Sequence, residues 1–350
     1  MNISKIDKNF VVETNLNIPG IKFYNSKEKP FKIFGLIVED GIFKRMPKND
    51  AAKVSDDILN LYANTSGGRV RFKTNSSYVA ISAEMGVMYK APHMANTGTV
   101  GFDLYEKLEG KDIFKGAFIP PMNDGKYESV VWLKANEEHE ITINFPLYSN
   151  VKELYIGIDE KAEILPCSEY KIKKPIVFYG SSITQGACAS RPGAAYHSLV
   201  QREFDCDILN LGFSGNARGE EYMAEYISNL DMSAFILDYD HNAPTAEHLK
   251  NTHEKFFKII REKQKDLKIL IMPRPVRKLN EDDKLRSEIV KSTYINAINS
   301  GDKNVAFLSG EDLIEEFIEE MYLVDLCHPN DAGFASMAKA VIKKLKEMGI

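Results

Sequence analysis

The chain has 350 residues, of which 44% are hydrophobic and 27% charged, and its formal net charge at neutral pH is −5. The composition is that of a soluble globular protein, and the length favours two domains. The acidic balance disfavours binding to nucleic acid or to an anionic membrane surface. No apolar run is long enough to cross a bilayer and no signal-peptide core follows residues 1–9, so a cytoplasmic location is predicted.

The first half of the chain predicts antiparallel strands. Apolar and polar residues alternate around positions 70–73, 79–83, 141–145 and 154–158, with Gly, Asn and Pro between the runs. A period of two is typical of strands with one buried face. We therefore predict a jelly-roll-like β-sandwich over residues 1–168.

The second half predicts a different architecture. Strand-like runs at 175–180, 206–212, 234–240, 267–273 and 305–309 alternate with helical stretches, of which 247–261 and 331–348 carry one apolar stripe each. Alternating strands and helices indicate a parallel sheet covered on both sides. The prediction is a three-layer α/β/α domain over residues 172–350, which the short charged link at 167–174 holds close to the first domain.

The end of the first predicted strand carries a candidate nucleophile. The run Gly180-Ser181-Ser182-Ile183-Thr184 follows the strand at its turn into a helix. In parallel sheets, ligands bind outside the carboxyl ends of the strands, and an exposed serine there needs a base to become a nucleophile. The alternative is that Ser181, Ser182 or Thr184 only caps the helix.

The next two strand ends carry groups that could stabilise an oxyanion. A glycine-rich loop around Gly215 can direct backbone N–H groups into a site, and the Asn242 side chain can add another donor. Asp238, Asp240 and His241 lie at the same strand end. Plain βα turns are the alternative interpretation of both segments.

The last motif is Asp325-Leu326-Cys327-His328, directly before the terminal helix. The spacing lets the carboxylate reach the imidazole locally, fix its tautomer and leave the other nitrogen for the serine. Asn330 is the predicted N-cap of the helix. The chain order Ser, Asp, His is that of other α/β serine hydrolases.

These blocks together resemble the SGNH (GDSL-like) hydrolase family, over about residues 174–348. The resemblance implies a flavodoxin-like fold, Ser182 as nucleophile, His328 as base and Asp325 as its orienting carboxylate. It also implies an oxyanion hole made of the backbone N–H groups of Ser182 and Gly215 and the side chain of Asn242. Two departures are Ser181, where the family has Asp, and the third block, Asp240-His241-Asn242, whose register can shift by a residue or two.

The first half is similar to the N-terminal domain that precedes some SGNH esterases, in the run Gly101-Phe102-Asp103-Leu104-Tyr105 and in residues 43–47. In that subfamily Ser before the nucleophile is familiar. The resemblance implies an acyl or acetyl esterase directed at carbohydrates.

The predicted function is therefore hydrolysis of short-chain acyl esters, acetyl above all, of a carbohydrate or similar polar alcohol, with a small-molecule or carbohydrate ester as the partner. His241, Arg218 and Asp240 are candidate substrate-binding residues, and His241 is also a rival base. No cofactor is predicted. No metal site is predicted either, because no cluster of His, Asp and Glu residues has the spacing of metal ligands and the four cysteines are interpreted as free, buried thiols.

Three alternatives stay open. One is a lipase-like or phospholipase-like enzyme with the same triad. Another is a carbohydrate-binding protein whose hydrolase domain is inactive, and the third is a flavodoxin-like binder of a phosphate cofactor. A homo-oligomer is compatible with the sequence.

Overall fold

A computed structural model describes residues 16–121, 125–316 and 319–350. Residues 1–9, on which the prediction about a signal peptide was made, lie outside these ranges. The strands of the first half are β1 (Ile21–Asn25), β2 (Lys32–Phe34), β3 (Ile37–Glu39), β4 (Ile42–Lys44), β5 (Arg69–Thr74), β6 (Tyr78–Met88), β7 (Phe102–Leu108), β8 (Lys111–Phe118), β9 (Lys126–Trp132), β10 (His139–Asn144), β11 (Ser149–Asp159) and β12 (Ile164–Leu165). Its helices are α1 (Lys48–Val54), α2 (Asp56–Leu61) and α3 (Asn96–Thr99).

Most of these strands form two antiparallel sheets. One has the order β1-β11-β6-β9, and the other has the order β12-β5-β10-β7-β8 with β2 added on β5. The apolar positions of the predicted alternation, such as Val70, Ile81, Ile143 and Ile156, are fully buried in one shared cluster. The predicted sandwich is confirmed, because two sheets that each have one apolar face bury those faces against each other.

The outer face of β5 departs from the simple alternation. Arg69 and Arg71, which the pattern assigns to solvent, are almost completely buried. Arg69 pairs with Asp207 of the second half, and Arg71 pairs with Glu140 at 2.8 Å. Tyr170 covers both and lies 4.1 Å from the Arg71 guanidinium. The segment between the two halves therefore covers this part of the sandwich.

The second half forms the predicted α/β/α arrangement. Its strands are β13 (Ile172–Gly180), β14 (Cys206–Gly212), β15 (Ala234–Asp238), β16 (Lys268–Ile271) and β17 (Val305–Phe307). Its helices are α4 (Ser182–Gln185), α5 (Tyr196–Phe204), α6 (Glu221–Ser228), α7 (Ala246–Lys263), α8 (Glu281–Asn299), α9 (Gly310–Leu313) and α10 (Asp331–Glu347), with 3₁₀ turns at Pro192–Ala194, Asp240–Asn242 and Glu319–Met321. All neighbouring strands of the sheet are parallel, in the order β14-β13-β15-β16-β17.

That order is the flavodoxin-like one, with the switch point between β13 and β15. Helices α5 and α10 pack on one face of the sheet, and α6, α7 and α8 pack on the other. The predicted stripes are confirmed: Leu249 and Phe256 of α7 and Phe334 and Val341 of α10 are buried. Each stripe seats its helix against the sheet.

Three predicted strands end earlier than the sequence indicated, and the fifth strand of the second half ends at Phe307 instead of residue 309. The third strand ends at Asp238 instead of residue 240, because the chain turns into the 3₁₀ segment Asp240–Asn242. The fourth ends at Ile271, two residues before Pro273, which has no N–H to offer a neighbouring strand.

The four cysteines are unpaired, as predicted, but Cys167 and Cys327 are only partly buried.

The two halves pack closely. Ala51 of α1 and Ile58 of α2 join the cluster beneath α6 and α7. Leu147 and Tyr148, which follow β10, join the cluster on the opposite side of the sheet. The division at 168–172 stays a prediction. Within the described residues, no helix is both long and apolar enough to cross a membrane.

Candidate active site

The turn after β13 presents Ser182. A Cβ on Gly180 would lie 2.1 Å from both the Asp238 carbonyl oxygen and the Thr184 hydroxyl, so only glycine allows this close passage. Ser181 is the N-cap of α4, and its hydroxyl accepts a hydrogen bond from the Ile183 N–H at 3.1 Å. Ser182 is therefore the first helical residue, and its hydroxyl is not used for capping.

Ser182, His328 and Asp325 are hydrogen-bonded in series. The Ser182 Oγ lies 2.8 Å from His328 Nε2, and His328 Nδ1 lies 2.8 Å from Asp325 Oδ2. An ionised carboxylate only accepts, so Nδ1 carries the proton and Nε2 accepts from the serine hydroxyl. This is the arrangement a serine nucleophile and its base require.

The loop that carries Asp325 and His328 is held by its own hydrogen bonds. The other Asp325 oxygen accepts the N–H groups of Cys327 at 3.2 Å and of His328 at 2.8 Å. Leu326 takes a left-handed φ of 62° and is 79% exposed. Burial alone would raise the pKa of Asp325, but the hydrogen bonds from the backbone and imidazole of His328 lower it, so the carboxylate stays ionised.

The loop after β14 lies beside the end of β15. The Asn242 side chain donates to the Phe213 carbonyl at 2.9 Å, which joins the two segments. Gly215 has a φ of 72° and open space where a side chain would be. Because Ser182 begins its helix, its N–H has no acceptor within that helix. Ser182, Gly215 and Asn242 thus each offer an N–H group in this region.

A buried cation from the first half supports that loop. The Arg45 guanidinium donates to the carbonyl of Gly212, where β14 ends, and to that of Leu61 at 2.8 Å. It also lies 4.4 Å from the centre of the Phe213 ring. Full burial lowers the pKa of Arg45 to about 9, so the side chain is still charged at neutral pH. The start of the Gly215 loop is therefore fixed from the other domain.

Asp238 and Asp240 lie beneath the site, both almost fully buried. Asp238 accepts from the Thr184 hydroxyl at 2.9 Å and so braces the turn that carries Ser182. Burial and the charge of Asp240 hold the pKa of Asp238 well above its usual range. Burial also raises the pKa of Asp240 to about 6. Neither carboxylate has a direct hydrogen bond to His328 within the described residues.

His241 links the triad loop to a buried ion pair. Arg274 donates to His241 Nδ1 at 3.4 Å and pairs with Asp283 at 2.9 Å. Since Nδ1 accepts, Nε2 carries the proton and donates to the Cys327 sulfur at 2.9 Å. Burial and the charge of Arg274 lower the pKa of His241 to about 4, so the ring is neutral at pH 7. His241 thereby anchors the residue next to His328.

Three side chains from the first half reach the site, and the sequence analysis did not find them. The Tyr148 hydroxyl donates to the Ser182 carbonyl at 3.2 Å, and the ring of Tyr89 lies 5.5 Å from that of Tyr148. The His93 ring lies 6.2 Å from that of His328. The sequence offered one signal for these contacts, which is that His93 follows a proline in the connection between two predicted strands.

The remaining candidates lie at the edge of the site. Arg218 is 40% exposed, pairs with Asp57 of α2 at 3.4 Å and donates to the Gly215 carbonyl at 3.3 Å. Asp240 is buried below the surface. A substrate-binding role for either of them, and for His241, stays a prediction.

A Ser–His–Asp series at the carboxyl ends of a flavodoxin-like parallel sheet is the arrangement of a serine esterase. Residues 173–346 match the GDSL-like lipase/acylhydrolase family, and residues 21–164 match the N-terminal region of SGNH-type esterases named GxDLY. The chain belongs to the GDSL-like lipase/acylhydrolase family. It is an esterase of that family with the GxDLY type of N-terminal domain.

Solved structures share the whole two-domain fold. A protein described as a GDSL-like lipase from Bacteroides ovatus is 29% identical, with a TM-score of 0.86 over 94% of this chain and 98% of its own. The salicylyl-acyltransferase SsfX3 of a tetracycline biosynthetic pathway is 19% identical, with a TM-score of 0.78 over 95% and 99%. A family two carbohydrate esterase from Clostridium thermocellum is 13% identical, with a TM-score of 0.63 over 91% and 98%. No curated protein matches this chain.

Proposed function

We propose that this protein hydrolyses short-chain acyl esters, acetyl esters first, of a carbohydrate or a similar polar alcohol, through an acyl-enzyme on Ser182. The observation that carries the proposal is the 2.8 Å contact between Ser182 Oγ and His328 Nε2, in series with the 2.8 Å contact to Asp325. A hydroxyl proton that already faces an accepting imidazole nitrogen is placed for transfer to that nitrogen.

The first half-reaction breaks the ester. His328 Nε2 takes the Ser182 proton while Oγ bonds to the ester carbonyl carbon, and Asp325 stabilises the imidazolium that forms. The negative charge moves to the carbonyl oxygen, where the N–H groups of Ser182, Gly215 and Asn242 are the proposed donors. Collapse expels the alcohol, which takes its proton from His328.

The second half-reaction restores the enzyme. His328 Nε2 removes a proton from water, the hydroxide oxygen bonds to the acyl carbon, and the bond to Ser182 Oγ breaks. His328 returns the proton to the serine, and the carboxylic acid leaves. The Thr184–Asp238 hydrogen bond at 2.9 Å keeps the serine turn in the same position through both half-reactions.

The substrate class is proposed from two observations. His93 and Tyr89 are exposed side chains beside the triad and can hydrogen-bond to or pack against a polar alcohol. Several structures with this fold are carbohydrate esterases, including an acetyl xylan esterase from Butyrivibrio proteoclasticus, 14% identical with a TM-score of 0.58. An acetyl ester of a sugar combines a small acyl group with such an alcohol.

A second candidate is an esterase for longer acyl chains. Met321, Val324 and Leu326, on the segment leading to His328, are 60%, 44% and 79% exposed. Exposed apolar side chains beside a site can cover an acyl chain. This candidate uses the same triad, so only the acyl preference separates it from the first.

The test compares p-nitrophenyl acetate, butyrate and octanoate with the wild type, Ser182→Ala and a control, Ser233→Ala, whose hydroxyl donates to the Pro175 carbonyl at 3.3 Å. We expect acetate to be fastest and Ser182→Ala to lose about 10³-fold or more in kcat, with the control unchanged. Octanoate as the best substrate would favour the second candidate. A folded wild type that hydrolyses no ester and does not react with a fluorophosphonate would overturn both.

A further inference from the structure

A cluster of nitrogen and sulfur ligands lies over the triad. His93 from the first half, Cys188 after α4 and the triad residue His328 each have one ligand atom within 4.8 Å of the others. The three residues come from segments far apart in sequence, so no short motif predicts that they form a cluster. Among the described residues, no hydrogen bond to the His93 ring is found, and the side chain is exposed.

Cys188 is held in an unusual backbone conformation. Its φ of 69° lies in the left-handed region, which non-glycine residues adopt rarely. The residue is 7% exposed. Burial raises the pKa of its thiol to about 12, so a bound cation would have to displace the thiol proton to solvent.

His328 is already oriented as a metal ligand. Its Nδ1 donates to Asp325 at 2.8 Å, which leaves Nε2 as the free ligand atom when the Ser182 hydroxyl moves aside. A carboxylate on the second nitrogen is the usual outer partner of a zinc-bound histidine, since it fixes the tautomer and makes the ring a better ligand.

We propose that His93, Cys188 and His328 form a binding site for a zinc-like divalent cation that reversibly blocks the triad. Two imidazoles and a thiolate suit a borderline-soft cation far better than magnesium or calcium. Tetrahedral zinc sets its ligand atoms about 3.3–3.6 Å apart, and the present ligand atoms lie within 4.8 Å of one another, so the cluster has to contract by no more than about 1.5 Å. Rotation of the exposed His93 side chain can supply that movement.

Such an ion would inhibit ester hydrolysis by binding to His328, the proposed catalytic base. With His328 Nε2 coordinated, no acceptor remains for the Ser182 proton, and the ion would also fill the space of the ester group. Its fourth position would hold water. The site would also couple the two domains, since His93 belongs to the first half and the other ligands to the second.

The first measurement is metal binding, which does not depend on the proposed esterase function. The full chain, freed of metal with a chelator, is titrated with Co²⁺ alone, because zinc itself has no visible spectrum. We expect one equivalent to give a thiolate-to-cobalt charge-transfer band with tetrahedral visible bands. Zn²⁺ should displace them.

Two variants assign the ligands, and a third is the control. Cys188→Ser should abolish the charge-transfer band. His93→Ala should weaken Zn²⁺ binding by at least about 100-fold, since losing an outer partner alone costs about 10- to 100-fold. Cys167→Ser, a thiol in the first domain, should match the wild type. Near-ultraviolet circular dichroism checks that each variant is folded.

Three outcomes would overturn the proposal. They are no thiolate band in the wild type, unchanged affinity in His93→Ala, or a band lost in Cys327→Ser but kept in Cys188→Ser. The last would assign the metal to the neighbouring cluster Asp325, Cys327 and His328. If an ester is hydrolysed, Zn²⁺ should compete with it and a chelator should restore the rate. If none is hydrolysed, the cobalt titration still decides the metal site.

Discussion

Asp325→Asn tests whether the proposed mechanism depends on a carboxylate that accepts the hydrogen bond from the His328 imidazole. In the native loop, one carboxylate oxygen accepts the N–H groups of Cys327 and His328, and the other accepts from the imidazole. The asparagine oxygen can keep both backbone hydrogen bonds. Its NH₂ group then faces His328 Nδ1 and donates to it, whereas the native carboxylate only accepts.

The substitution should therefore keep the loop and invert the tautomer. With Nδ1 accepting, the imidazole proton moves to Nε2 and points at the Ser182 hydroxyl, which then has no acceptor for its own proton. An inverted tautomer in a serine triad costs about 10⁴-fold in kcat, or about 5.5 kcal/mol of transition-state stabilisation. We expect a loss of that order in kcat and little change in KM.

The assay is steady-state hydrolysis of p-nitrophenyl acetate by wild type, Asp325→Asn and Asp266→Asn. Asp266 is an exposed aspartate before β16 and controls for the loss of one surface charge. Equal unfolding midpoints for the three proteins would show that the loop is kept. Wild-type rates in Asp325→Asn would refute the assignment, and Asp238 and Asp240 would be the next carboxylates to test.

Three further predictions follow from buried polar groups of the second domain. Asp240→Asn should raise the unfolding free energy by about 1–3 kcal/mol at pH 8 and by less than about 1 kcal/mol near pH 4. The reason is that the carboxyl's folded pKa, about 6, lies above its unfolded value of 3.8, so its stabilising contribution is lost as pH rises through 6. Urea titrations at the two pH values check this, and an equal effect at both would contradict it. Burial lowers the pKa values of His197 and His253 to about 3, so stability should fall below pH 6.5, by about 2 kcal/mol for each residue at pH 5. Wild-type urea midpoints that do not move between pH 7 and pH 5 would argue against it. Cys327→Ala removes the acceptor of the His241 hydrogen bond and should lower kcat/KM about 2- to 10-fold. Kinetics on p-nitrophenyl acetate measure the loss, and an unchanged value would mean that this anchor does not position His328.

The sequence was most informative where function depends on local chain geometry. The turn that carries Ser182 and the segment from Asp325 to His328 are each a few residues long, and their hydrogen bonds form within the segment or with the next helix. Strand order then brings them together, because the carboxyl ends of parallel strands share one edge. A reader of the sequence can therefore predict this part of the site.

Contacts made across domains were not predictable in this way. Three side chains of the first domain reach the site only because the sandwich packs on the edge of the sheet: Tyr148, His93 and Arg45. The apolar periodicity of the sequence does not predict that packing. The same packing buries Arg69, and the segment between the two halves covers Arg71, although both alternate with apolar residues as solvent-facing side chains would. A period-two pattern identifies the face of a strand and leaves open what covers it.

Helices α1 and α2 belong to the sandwich by sequence and to the second domain by packing. Ala51 and Ile58 are completely buried beside Met223 and Leu249 of α6 and α7. A boundary near residue 170 therefore divides the chain without dividing its core. We therefore expect the two halves to unfold as one cooperative unit, because replacing either half alone would expose buried residues of the other.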